Sequence, residues 1–461
     1  MLVKAFGAVT LFLAGVLARY QVLGSLGRPE LRIPAFQQRY KGVPVTLPRG
    51  YILDRYGVPL HYPVWDVSLA VFPWEISQPD KVMGFCEDLL GISVDSLLEA
   101  SSASIIKKHL RPDEIALVRS LALSGLEIVP NQIRYGPQSL ATHVVGHVNP
   151  NDNQGTSGLE YRFQQQLAGG KPSWVGYVTT GEGVTLPQSG LRIAPNHGMP
   201  QDLVTTIDAN VQKTVEDTLD SRGVITGAVV VLDASTGEVL AMASRPNMDQ
   251  NDTSPKKGQP DDPLVNRAIS AFPLGPLLEP LALSFALDNR AEGEMTPLEL
   301  GRYARACGFL RLTGIPLPGE SPGSFDKDLT ATPLQIAAFY RAIAWDGVWR
   351  QPSLILGQEV RETRIMSSET ADTLANKLLK QVRQGTGSEA WVPWWGSAGW
   401  AGAGWFSGWT PVILPRYAIT VFVQQDREEP NEAALIFREI AFSLLSPVNG
   451  TGTRTLNAPH E

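Results

Sequence analysis

The sequence predicts an α+β protein of two domains behind an apolar N-terminal segment. Three observations predict it. With 461 residues, 43% hydrophobic and 18% charged, the chain is globular in composition and too long for one ordinary domain. Stretches with strand alternation and stretches with three- and four-residue apolar spacing interleave along it, as helices and strands packed on common cores require. The run Ala5 to Ala18 is apolar except for Thr10.

That run is flanked by Lys4 and Arg19. As a helix it would span about 21 Å, short of the roughly 30 Å hydrocarbon core. Snorkelling of the two cations, with Leu2, Val3, Tyr20, Val22 and Leu23 beyond them, lengthens the span. A signal peptide ending at Val16-Leu17-Ala18 and a start site assigned too far downstream are rival readings. All three export the remainder, and we take residues 1–23 as an uncleaved membrane anchor. A net charge of -7 leaves no basic footprint for nucleic acid. Cys86 and Cys307, far apart, are expected as two unrelated buried thiols.

Residues 24–200 form the expected first domain. Asp54 to Gly57 is a turn between Ile52-Leu53 and Val58-Pro59-Leu60. Val67 to Phe72 alternates as a strand, and Lys81 to Leu90 and Pro112 to Leu123 space their apolar residues as helices. His143 and His147, with Val144, Val145 and Val148, read as one face of an extended segment. No Cys, Asp or Glu is spaced to complete a zinc site with them, so no metal is expected.

Residues 201–446 form the second, with 447–461 as a tail. Leu203 to Asp208 is a strand, and Asp208 caps a helix over Ala209 to Ser221. Gly227 to Leu232 is continuously apolar, the pattern of a strand buried on both faces. Asp233 to Gly237 turns the chain and Glu238 to Ala243 returns it. Thr332 caps a further helix with Pro333 in its first turn and Leu334, Ala337, Ala338 and Ile343 as its stripe. Tyr417 to Val423 is a strand.

Several strings in these domains carry a resemblance. Arg49-Gly50-Tyr51-Ile52-Leu53-Asp54-Arg55-Tyr56-Gly57 is followed by Gly158-Leu159-Glu160 and Leu167-Ala168-Gly169. Next come Asn266-Arg267-Ala268 with Phe272-Pro273-Leu274-Gly275, and Thr313-Gly314-Ile315-Pro316-Leu317-Pro318-Gly319-Glu320. Thr332-Pro333-Leu334-Gln335, Gly385-Thr386-Gly387 and Trp405-Phe406-Ser407-Gly408 complete the series. In this order they resemble the class B penicillin-binding proteins. The resemblance implies a pedestal domain, then a penicillin-binding, β-lactamase-like transpeptidase domain with a five-stranded antiparallel sheet between helices. It assigns Gly158, Leu159, Glu160, Gly275, Gly314, Pro318, Gly319, Glu320 and Gly402 to the fold. It places a partner contact at Arg49, Gly50, Asp54, Arg55 and Gly57, and the implied partner is a polytopic membrane glycosyltransferase or another cell-wall synthesis protein. No cofactor is implied.

In that family a serine attacks the carbonyl of a D-Ala-D-Ala peptide, a lysine one helical turn on handles its proton, and Ser-x-Asn and Lys-Thr-Gly motifs complete the cleft. Here the serine position is Pro276, which lacks a hydroxyl, and the lysine position is Glu279, which reverses the charge. No Ser-x-Asn lies between Pro280 and Gly308, an interval shorter than the family's, and Leu287-Asp288-Asn289 follows Glu279 too closely to serve. Ala398-Gly399-Trp400-Ala401-Gly402-Ala403 stands where Lys-Thr-Gly is expected. No lysine lies between Lys257 and Lys327 or after Lys380, and no histidine lies between His197 and His460, which excludes a Ser-His-Asp set there. Asp249, Asp252, Asp261 and Asp262 read as a solvated loop, without the cleft a glycosidase pair requires.

The expectation is a pseudoenzyme of cell-wall assembly, in division, elongation or spore formation, with its cleft closed into core by apolar replacements. Six tryptophans between Trp391 and Trp409 would fill the space. The alternatives are an open aromatic groove that senses muropeptide or β-lactam, and an active transpeptidase using Ser270 or Ser284.

Overall fold

The computed structural model describes residues 40–446 apart from 46–48, 90, 92–101, 150–152, 170–172, 181–183, 187–189, 195–198, 253–260, 290–295 and 425–430. The expected anchor (1–23) and the tail (447–461) lie outside the described residues. Among the described residues no helix is long and apolar enough to cross a membrane.

The chain divides into two compact units, one of residues 1–47, 65–132 and 171–197, the other of 48–64, 133–170 and 198–461. This differs from a single boundary near 200. Residues 48–64 and 133–170 belong with the C-terminal unit because Ile52–Leu53 pairs in parallel with Leu203–Val204, and because Arg49, Arg134 and Glu160 share one buried charge cluster.

Among the described residues the first unit holds two three-stranded sheets. Strand β1 (Tyr40–Val45) pairs antiparallel with β5 (Ser173–Val178), which pairs with β6 (Arg192–Ala194). In the second sheet β2 (Val64–Val71) lies between β3 (Ser104–Lys107) and β4 (Leu126–Ile133). Helix α1 (Pro112–Leu121) starts on a proline, as its missing N–H allows, and ends on Ala122 at φ 44°. Leu69, Val71, Val82, Phe85, Val118 and Leu126 form the core over which these elements close. Cys86 lies in it as a free thiol, pushed up to about 11 by burial.

The second unit is built on one antiparallel five-stranded sheet, as the resemblance implied. With β7 (Gly227–Asp233), β8 (Val239–Arg245), β9 (Ala398–Gly402), β10 (Trp405–Thr410) and β11 (Tyr417–Val423), the order is β8-β7-β11-β10-β9. Period-two alternation splits β7 between two cores. Val229 and Val231 pack with α4 (Ala209–Ser221) and α9 (Glu432–Leu445), whereas Ala228, Val230 and Leu232 pack with α7 (Pro333–Ala344). Burial on both sides is why the run carries no polar residue until Asp233. Asp208 caps α4, accepting from the N–H groups of Asn210 and Val211, and Thr332 and Gln335 form a capping box at α7. The strand expected over Leu203 to Asp208 shortens to Leu203–Val204, since Thr206 turns its hydroxyl to the carbonyls of Val239 and Ser353.

The extended reading of His143 to Val148 is corrected. Thr142–Val145 is one helical turn, α2, ended by Gly146 at φ 79°. It is stopped against α3 (Gly158–Arg162), where the backbones of Gly146 and Gly158 approach so closely that a Cβ on Gly158 would lie 2.6 Å from Gly146 Cα. His143 is buried, with Nε2 2.8 Å from the carbonyl of Pro263, and burial lowers its pKa to about 4. His147 Nδ1 lies 2.8 Å from Ser157 Oγ. Among the described residues no three His, Cys, Asp or Glu side chains are grouped to hold a metal ion.

Candidate functional site

The segment that carries the resemblance to a nucleophile helix makes two 3-10 turns and then a helix. Asn266 caps a 3-10 turn at Arg267–Ile269, Phe272–Pro273 pairs with Thr330–Ala331, and Gly275, at φ 53°, opens a second 3-10 turn that runs into α5 (Leu278–Asn289). Gly275 takes a left-handed conformation that a side chain would strain. Helix α6 (Pro297–Ala306) follows, with a Thr296/Glu299 capping box.

Edge strand β9 passes directly over this turn. A Cβ placed on Gly402 would lie 3.0 Å from Leu277 Cδ1 and 3.2 Å from Pro276 Cδ, so the glycine is what permits the approach. Pro276 and Glu279 are thereby brought beside Trp400, Ala401 and Gly402, and together they line a groove of about 1040 Å³. Pro276 and Glu279 are exposed. The expectation that the cleft closes into core is therefore corrected. Trp400 and Ala401 are buried, but they form a wall of the groove and do not fill it. Of the other tryptophans, Trp405 stacks on Phe422 and Trp409 packs in the sheet core, while Trp394 and Trp395 pack against Phe442 of α9. Of the six tryptophans Trp400 alone lines the groove, and Trp394 is exposed, so the tryptophans do not fill it.

A lysine distant along the chain is near in space. Lys377, on α8 (Ser368–Gln384), places Nζ 3.1 Å from Glu279 Oε1 and 5.6 Å from the centroid of the Trp400 ring. Ninety-eight residues separate Lys377 from Glu279, so no local spacing could have paired them. The i,i+4 stripe of α8, which buries Leu374 and Leu378, leaves Lys377 pointing along the helix edge toward α5. Thr386 and Ser388 also line the groove, but no side-chain hydrogen bond joins either hydroxyl to a base among the described residues.

The two serines considered as displaced nucleophiles are committed elsewhere. Ser284 is fully buried and donates to the carbonyl of Leu281 at 2.7 Å. Ser270 donates to the carbonyl of Asn266 at 2.9 Å. A nucleophile requires a base within hydrogen-bond reach, and both hydroxyls spend their proton on the main chain.

The loop from Thr313 to Glu320 is closed by the Glu320 carboxylate, which accepts from Thr313 N (2.7 Å) and Thr313 Oγ1 (2.6 Å), while Gly314 and Gly319 sit at φ 86° and 80°. Pro318 lies on the wall of a separate depression together with Tyr161 and Leu356.

The signature at Arg49 to Gly57 turns inward. Arg49 donates from Nη2 to Glu160 Oε2 at 2.8 Å and to Gln164 Oε1 at 2.8 Å, and from Nη1 to the carbonyl of Asn153 at 2.6 Å. Arg134 holds the other oxygen of Glu160 and donates to the carbonyl of Gly50 at 2.8 Å. Asp54 is buried, accepting from Tyr56 N and Val58 N at 2.8 Å each and from Ala209 N at 3.2 Å. Leu159 is fully buried behind Glu160. The expectation of a partner contact through Arg49, Gly50 and Asp54 is corrected accordingly. Their side chains and backbone are consumed within the unit. Arg55, paired with Glu238 at 2.9 Å, is half-buried, and the exposed residues of the turn are Tyr56, Gly57 and Val58.

Comparison with known proteins agrees with this geometry. Residues 44–186 match the family model for the penicillin-binding protein dimerisation domain, and 289–441 match that for the penicillin-binding protein transpeptidase domain. The chain belongs to the class B penicillin-binding protein family. The transpeptidase match begins after Glu279, beyond the stretch in which the nucleophile is expected. Stage V sporulation protein D of Bacillus subtilis is 25% identical over 450 positions, covering 76% of this chain and 68% of the relative. The peptidoglycan D,D-transpeptidase FtsI of Escherichia coli is 24% identical over 424 positions, covering 76% and 71%. Among solved structures, a penicillin-binding protein, PBP2, in complex with MreC from Helicobacter pylori superposes with a TM-score of 0.67 at 18% identity, over 88% of this chain and 98% of the other. Penicillin-binding protein 2X from Streptococcus thermophilus gives 0.63 at 18% identity, over 89% and 80%. These structural likenesses carry the fold. The chemistry rests on the residues in the groove.

Proposed function

We propose that this class B penicillin-binding protein is a catalytically inactive scaffold or regulator of peptidoglycan assembly. One observation carries the reading. Where Gly402 meets Pro276 and Leu277, the groove holds Pro276, Glu279, Trp400 and Ala401, at the positions where the resemblance implies serine, lysine, lysine and threonine. Acyl transfer needs a hydroxyl nucleophile with a base beside it, and among the described residues no hydroxyl of the groove is hydrogen-bonded to a base. Glu389 in the groove wall also opposes the carboxylate at the end of a D-Ala-D-Ala peptide, while Glu279 is paired with Lys377.

The test is incubation of the full chain with a fluorescent penicillin beside an active relative. The expected result is no covalent label on this chain after denaturing electrophoresis. A label on any serine overturns the reading.

Family analogy supplies the setting. A single N-terminal anchor holds the chain to the cell membrane with its bulk extracytoplasmic, and the partner class is a polytopic glycosyltransferase or another cell-wall synthesis protein. The PBP2 relative in complex with MreC is a precedent for such assembly. The exposed side of the signature turn, Tyr56 (70% exposed) and Val58, takes the place of Arg49 as the contact. Tyr56→Asp, which leaves the buried cluster untouched, should reduce co-purification of the partner. Unchanged recovery would place the contact elsewhere.

A further inference from the structure

A surface of the C-terminal unit away from the groove exposes apolar side chains that its core does not use. The hairpin between β10 and β11 turns through Ile413 and Leu414, which are 80% and 82% exposed. The loop from Trp391 to Gly396 lies beside it. Val412 N–H donates to the Trp395 carbonyl at 3.1 Å, and Thr410 Oγ1 donates to the Gly396 carbonyl at 2.7 Å. That pairing brings Trp394, 62% exposed, to the same edge as Ile413. The indole is held in place, with its ring 6.1 Å from those of Trp395 and of Phe442 on α9.

Two of these positions are costly. Leu414 and Trp394 have φ of 56° and 66°, where glycine or asparagine sits easily and a bulky side chain is strained. A turn that only joined two strands would be more stable with those residues. Strained backbone that carries exposed apolar side chains points to a partner that covers them.

Charge selects the partner. The Arg383 guanidinium lies 5.4 Å over the Trp391 ring, and that of Arg416 lies 5.4 Å over Tyr417. Both arginines are exposed, and among the described residues neither enters an ion pair. The α9 carboxylates Glu432 and Glu439 are taken by Arg222, and Glu389 faces the groove. A projecting apolar tip beside two free guanidinium groups fits a partner that yields around the tip and carries anions at the edge of its apolar layer. An anionic bilayer has both properties. A second copy of the chain would set tip against tip and arginine against arginine.

We infer that the β10–β11 tip and Trp394 form a contact with an anionic lipid bilayer. Ile413 and Leu414 enter the acyl boundary, Trp394 sits at headgroup level, and Arg383 and Arg416 meet lipid phosphates. The contact goes beyond the pseudoenzyme reading and requires neither lost catalysis nor the N-terminal anchor.

The test places a nitroxide on the full chain at Ile413→Cys and, as a control, at Ile225→Cys. Ile225 is 78% exposed and precedes the Gly227 end of β7, whereas the hairpin adjoins the Asp233 end. Cys86 and Cys307 are buried, and the parent chain treated with the same reagent gives the background. The chains are bound to vesicles of phosphatidylcholine with phosphatidylglycerol, and collisions of the label with oxygen and with a water-soluble nickel chelate are compared. The 413 label should meet oxygen and be sheltered from nickel, while the 225 label stays in water. Arg383→Gln and Arg416→Gln should each lower the ratio of inserted to lifted tip about fivefold, and vesicles of phosphatidylcholine alone should lower it likewise. Thermal melts confirm that the variants are folded. The proposal is overturned if the 413 label is as open to nickel as the 225 label, if no chain binds, or if the arginine variants insert as well as the parent. Spin–spin broadening between labels at 413 also overturns it, in favour of a second copy. Binding abolished by the two arginine substitutions would support the tip and remove the anchor from the proposed function.

Discussion

Two glutamates define two regions of this molecule, and the contrast between them shows what burial does to an ion pair. Glu160 is fully buried, each oxygen held by an arginine, with Tyr135 and the Gly50 carbonyl in the same network. Glu279 is more than half exposed and meets a single lysine. In the first region every charge has a partner because an unpaired one has no solvent to turn to, so the side chains are fixed. In the second, water competes for both charges and the pair is free to open. The fold depends on the first region. The second can open at little cost to the fold.

The sharpest way to break the comparison is at Glu160. Glu160→Ala leaves Arg49 and Arg134 buried side by side without a counter-charge, and removing one member of a buried pair costs about 3–5 kcal/mol. Chemical denaturation should show a loss of that size, or no folded protein. A loss under about 1 kcal/mol would mean that solvent reaches the cluster.

Acid should find the same region next. His61 accepts from Ile52 N–H at Nε2 (3.3 Å), and its Nδ1 lies 3.3 Å from the Arg134 carbonyl, which can only accept, so the ring is neutral with its proton on Nδ1. Burial first, then the Arg134 charge, lowers its pKa to about 3, and burial lowers that of His143 to about 4. In the unfolded chain both titrate near 6.5. Between those values the unfolded state binds more protons than the folded one, so stability is complete above about pH 6.5 and is lost as pH falls toward 4 and then 3. The loss is on the order of 3 kcal/mol for each histidine. Urea midpoints measured from pH 7 to pH 4 should fall, and His143→Gln should flatten the slope. A slope unchanged by that substitution removes His143 from the account.

A smaller effect is expected where backbones touch. Gly158→Ala puts a methyl group 2.6 Å from Gly146 backbone atoms and from the Val144 carbonyl, at a φ of 57°. Left-handed strain and overpacking together amount to about 2–3 kcal/mol. A melting point within a degree of the parent would mean that the turn at Gly146 yields.

Much of this was legible in the residues. The capping pairs at Asp208 and Thr332, the apolar run of β7 and the turn at Asp54 to Gly57 are local signals, and local signals specify local structure. The correction at His143 has the opposite cause. Its apolar neighbours suit a buried turn as well as a strand, and only the close approach of Gly158 decides between them. The proposal that Pro276 and Glu279 stand in the places of serine and lysine comes from the residues alone, because a motif is compared letter by letter and needs no coordinates. The open groove could not, since an apolar side chain such as Trp400 can wall a cleft as readily as fill it, and only the packing around it decides. Lys377 could not either, because its partner lies ninety-eight residues away and only the packing of α8 beside α5 joins them.

The smallest expected effect bears most directly on the contrast. Lys377→Met should change stability by no more than about 0.5 kcal/mol, because the pair it breaks is exposed on both sides and the methionine stem can still cover the Trp400 face. That near-silence in denaturation is what a pair of this exposure predicts and what a stabilising salt bridge cannot produce. If Lys377→Met instead lost several kcal/mol, Lys377 would be a strut between α8 and α5. Glu279 would then belong with Glu160 as a fixed internal charge, and the distinction between the two regions would fail.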